Sequence, residues 1–155
     1  MKKLILIVAL FSVTSVFAQN VDDFIQLLKS DVQSDKIAII TEVMNFTDEQ
    51  SEKFWPIYNE FSNELSKLGD KRIANIKDFA ANYDSLTAER ANQLIGNSFD
   101  FQEDRLSLNQ NYYDKFADAL GAIVAAKYMQ LENQIQLIIE LSVNSNLPLA
   151  KKPGE

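Results

Sequence analysis

The sequence predicts an all-α fold, an elongated, bent antiparallel helical hairpin of about four helices that pairs as a dimer. Three observations carry that reading. Only 4 Gly and 3 Pro occur in 155 residues, too few for a many-stranded sandwich or barrel, whose reversals repeatedly need φ > 0 or a preset φ. Apolar residues recur at spacings of three and four through most of the chain instead of alternating. Two threonine-led helix starts, at Thr47 and Thr87, divide that periodicity into long segments.

Each element follows in order. Residues 1–18 read as a signal peptide, because Lys2 and Lys3 precede the apolar run Leu4–Leu10 and Ala18 is a small residue placed before a cut. The run is shorter than the ~20 apolar residues of a bilayer-spanning helix. Cleavage after Ala18 would leave 137 residues and, by loss of two lysines, take the formal charge from −7 to −9. Residues 19–149 form a single helical domain. Its first helix is expected from about Val21 to Met44 in two parts, with Ser34-Asp35 capping the restart. Thr47-Asp48-Glu49-Gln50 is a capping box, in which the Thr47 hydroxyl accepts from the Gln50 amide while Gln50 reaches back, with two acids placed where the helix dipole favours them.

From there Phe54, Ile57, Phe61, Leu65, Leu68, Ile76, Phe79 and Tyr83 predict one long second helix, bent at Pro56, which offers no N–H to the Glu52 carbonyl. Asn82–Ser85 is a polar turn, and Thr87 caps a third helix that runs to about Ala119 with apolar side chains on more than one face. Ala122–Val143 is the fourth, with Ile123, Ala126, Tyr128, Leu131, Ile135, Ile138, Ile139 and Leu141 as its buried set. The tail at 150–155 is expected to be mobile.

Chemistry is narrowly bounded. With no His and no Cys, the chain cannot build a Ser-His-Asp or Cys-His site, a Cys/His zinc site or a disulfide. Gly69, Gly96 and Gly121 are isolated, so no phosphate-cradling loop exists. No enzyme activity, no cofactor and no small-molecule substrate are therefore expected. A charge of −7 opposes phosphate-backbone binding, which excludes nucleic acid as an expected partner. Carboxylates one helical turn apart, Glu60 with Glu64 and Asp100 with Asp104 beside Glu103, read either as a weak oxygen site for a hard cation or as a solvated face with Arg105, Lys67 and Lys71 nearby. The solvated face is the simpler reading, and no metal ligand is assigned. Aromatics are the other surplus. Trp55, Tyr58, Phe99, Phe101, Tyr112, Tyr113 and Phe116 are candidates for a client-binding or dimer surface, and core packing competes for all of them.

Phe46-Thr47-Asp48-Glu49-Gln50 resembles the Leu-Thr-x-x-Gln motif of the Spy/CpxP family of periplasmic stress proteins, with Phe in the leading position. Phe54-Trp55-Pro56-Ile57-Tyr58 after it is similar to an aromatic-Pro subgroup, and the likeness spans roughly Ile37 to Leu141. Leu120–Tyr128 occupies the place of the family's second motif without its Thr and Gln, and the string Leu86-Thr87-Ala88-Glu89 stands elsewhere. The resemblance implies a periplasmic, ATP-independent chaperone or envelope-stress adaptor, a homodimer whose concave helical face binds unfolded or envelope proteins. Metal sensing does not carry over, because the residues that zinc-binding relatives use are missing. A structural or interaction protein of the envelope and a weak divalent-cation sensor remain the alternatives.

Overall fold

The computed structural model describes residues 35–151. The expected leader, the first part of the expected opening helix and residues 152–155 of the expected tail lie outside that range. Among the described residues there are four α-helices and no strand: α1 (35–44), α2 (Asp48–Asn82), α3 (Ala88–Leu120) and α4 (Ala122–Ser145). The fold is all-α.

At the head of α2 both halves of the capping box form. The Gln50 amide donates to Thr47 Oγ1 at 3.2 Å, and the Thr47 amide donates to Gln50 Oε1 at 3.1 Å. Two of the first-turn N–H groups that a helix leaves orphaned are thereby satisfied. The helix then runs 35 residues, about 52 Å at 1.5 Å per residue. It passes through Pro56 without a break, because the apolar stripe on either side is held by packing that outweighs one lost hydrogen bond. A single 3₁₀ turn, Tyr83–Ser85, reverses the chain. Thr87 then starts α3 by accepting from the Arg90 amide at 3.2 Å. With Arg90 where a Glu or Gln would close the box, this cap is one-sided.

α2 and α3 are antiparallel. Along α2 the residues Glu60, Lys71, Asn75 and Asp78 meet Lys115, Asp104, Asn97 and Arg90 in descending order. Only Gly121 separates α3 from α4. Its φ of 87° and ψ of 148° is backbone that glycine alone adopts readily, and this allows two helices to meet in so short a turn. α4 therefore folds back along α3, pairing Glu140 with Arg105 and, at 4.0 Å, with Arg72 of α2. α1 lies antiparallel on α4, since Lys36 reaches Glu132 while Lys127 donates to the Val43 carbonyl at the other end.

The core gathers at the α1 end. Phe54 stacks on Phe116 at 5.2 Å and meets Tyr128 edge-on at 4.9 Å, while Phe61 packs against Tyr112 at 5.2 Å. Ile40, Met44, Ala125, Leu131 and Ile135 close the same cluster. Toward the hairpin tip the packing turns polar: Asn75 donates to the Leu94 carbonyl and to Ser98, and Asp78 accepts two bonds from Arg90. Lys151, the last described residue of the expected mobile tail, pairs with Asp84 there and stands 4.6 Å over the Tyr83 ring.

Candidate functional site

Three of the aromatics expected on a binding surface belong instead to the core. Tyr58, Tyr112 and Phe116 are buried within this one chain. The reason is geometric, since α1 and α4 together cover faces that a simple two-helix hairpin would leave open. Trp55 is half-buried, its indole N–H donating to Ser51 at 3.0 Å and its ring edge-on to Phe54 and Tyr58. Tyr113 packs against the core from outside. Phe101 is roofed by two guanidinium groups, Arg72 at 5.3 Å and Arg105 at 5.7 Å from its ring centre. Of the seven candidates, Phe99 alone is a largely open apolar side chain, 64% exposed. Thr47 and Gln50 are fully engaged in the cap.

A different apolar face is open. On α3 Ile95, Phe99 and Leu106 follow one another at helical spacing, and on α4 Leu137, Ile138 and Leu141 do the same. The pairing of Arg105 with Glu140 sets Leu106 and Leu141 at the same level of the bundle. Ile123, Ile138 and Leu141, expected in the buried set of α4, are thus on its outer side, Ile138 and Leu141 at 70% and 72% exposure. A helix apolar all round hides which face is the inner one; the packing of α4 against the other helices decides it.

The acidic pairs meet lysines. Glu60 binds Lys115, Glu64 binds Lys67 and Asp104 binds Lys71, at 3.1, 2.6 and 3.1 Å. Glu60, Asn63, Glu64 and Lys67 line an open recess beside Tyr112. Among the described residues no group of three or more His, Cys, Asp or Glu converges where a metal ion could be held. No described helix is long and apolar enough to cross a membrane.

One buried polar cluster has no counterpart in the expectations above. Glu132, with 1% of its surface exposed, accepts from Lys36 Nζ at 2.7 Å, from the Tyr128 hydroxyl at 3.2 Å and from Gln136 at 3.4 Å. The Tyr58 hydroxyl lies buried nearby, beside Ser62 but without a well-formed hydrogen bond among the described residues. Burial, with the Glu132 charge behind it, pushes the Tyr58 phenol up to about 12 and raises that of Tyr128 further. The signal in the sequence was a single Glu in an α4 stretch otherwise free of charge from Tyr128 to Ile139, set against a Lys in the isoleucine-rich α1.

Comparison with known proteins finds no match to the chain: no family model, no curated protein and no solved structure aligns with it.

Proposed function

We propose that this is an exported, ATP-independent client-holding protein or stress adaptor of the cell envelope, acting through the open apolar face of α3 and α4. The carrying observation is that face itself: six large apolar side chains left in solvent on stiff helices of an acidic chain. Such a patch has affinity for exposed apolar segments, and a charge of −7 keeps a loaded complex dispersed. The basic start and short apolar run of residues 1–18 support export, and the Thr47–Gln50 motif supports the stress-protein likeness.

Light scattering by a chemically denatured client, with and without chelator, tests the reading. Suppression at near-stoichiometric ratios, indifferent to chelator and lost in Phe99→Ser, is the expected result. If scattering is unchanged while one envelope protein co-purifies specifically, an interaction role replaces client holding. Suppression only with added divalent cation would return attention to Glu60, Glu64 and Asp104.

A further inference from the structure

Glu132 sits where a carboxylate is costly unless a cation faces it. Groups from three helices face it: Lys36 of α1, Tyr58 of α2, and Tyr128 with Gln136 of α4 itself. Lys36 supplies the positive charge. Within the described part of α1 it heads an inward stripe, Lys36-Ile40-Met44, spaced four residues apart; Ile40 is fully buried and Met44 nearly so. Ile37, Ile39 and Val43 flank that stripe, each partly in solvent, while Ala38, Thr41 and Glu42 lie on the far side of the helix. Asn45, Phe46 and Thr47 alone join α1 to α2, and Asn45 takes a left-handed φ of 47°. Lifting α1 would break neither the α2–α3 register nor the Gly121 turn. It would open a groove floored by Tyr58, Ala125, Tyr128, Leu131 and Ile135, with Glu132 at its centre.

We propose that this groove is an exchangeable helix-binding site, occupied at rest by α1 and taken over by a partner's basic amphipathic helix that presents Lys or Arg with apolar side chains four and eight residues further on. The inference goes beyond the client-holding reading, because the groove lies beneath α1 and not on the open face of α3 and α4. Charge complementarity selects that occupant, because the buried carboxylate rejects an apolar or acidic residue at the first position, and the acidic chain attracts a basic segment. α1 competes as a tethered ligand, so the apparent affinity for a partner is lowered by the fraction of time the groove is filled.

The test uses the full chain and a dye-labelled peptide copying residues 35–44, held helical by a staple on its outer side, with either Lys or Glu at the position of Lys36. Anisotropy should show the Lys peptide binding Lys36→Gln tighter than wild type, by on the order of tenfold or more, since the resident helix has lost its anchor. The charge-reversed double variant Lys36→Glu/Glu132→Lys should prefer the Glu peptide, which keeps the test decisive even if Lys36→Gln folds poorly. Equal binding of the two peptides, or none to either variant when circular dichroism shows it folded, overturns the inference. A wild-type dimer dissociated by the Lys peptide would overturn the partner helix in favour of α1 exchange between copies. Failure here with scattering still suppressed removes the groove alone; peptide exchange without suppression removes general client holding and leaves the groove as a site for one defined helix.

Discussion

The Lys36–Glu132 pair stabilises the fold only as a pair. Lys36→Met strands a carboxylate that is 1% exposed, and such a loss costs about 3–5 kcal/mol. Replacing both groups by apolar side chains of similar volume, Lys36→Met with Glu132→Leu, removes both desolvation costs but takes the acceptor from the buried Tyr128 hydroxyl, a loss of about 1–3 kcal/mol, so the double variant should lie closer to the parent than Lys36→Met alone. Urea unfolding of the two single variants and the double variant gives the coupling, and equal, additive losses would mean that the two charges do not interact. Tyr58 makes the matching argument for pH. Its phenol is raised from 10.0 to about 12 in the folded chain, so the neutral form is the one folding favours. That stability is complete below pH 10 and is lost as pH rises from 10 through 12. Phenolate absorbance across that window should show at least two of the five tyrosines titrating late, together with the onset of unfolding.

Helix ends and periods were the most legible features of the sequence, and helix faces the least. The Thr47 box could be read because capping is local chemistry, fixed by residues three apart. α2, α3 and α4 began and ended within a residue or two of their caps, at Thr47, Thr87, Gly121 and Asn146. Thr47→Ala should lower stability by ~0.5–2 kcal/mol, read as a shift in urea midpoint at constant slope, and leave client binding untouched, since both partners in the box bond only to each other's backbone. What could not be read was which side of α4 faces inward. Leu131, Ile135, Ile138, Ile139 and Leu141 are equally apolar as letters, and the choice among them is made by a long-range fact, the return of α4 into the angle between α2 and α1. The buried ion pair escaped for the same reason, its partners lying 96 residues apart.

At the scale of the molecule the apolar residues divide into two populations with opposite roles. The aromatic cluster at the α1 end, from Phe54 through Phe116 to Tyr128, joins α2, α3 and α4, whereas Ile138 and Leu141 stand 70% and 72% in solvent. Stability and function should therefore separate by substitution. Phe116→Ala removes a fully buried ring and should cost about 3–5 kcal/mol through lost transfer energy and the cavity left behind. Ile138→Gln with Leu141→Gln alters side chains about 70% in solvent, keeps good helix formers on α4, and should stay within ~0.5 kcal/mol of the parent for each site. Urea unfolding checks both figures. Scattering assays on the same proteins then discriminate, because the Gln pair should lose client suppression while folding normally, whereas Phe116→Ala, measured at a temperature where it is still folded, should retain it. A Gln pair that suppresses aggregation as well as the parent would place the client surface elsewhere on the bundle.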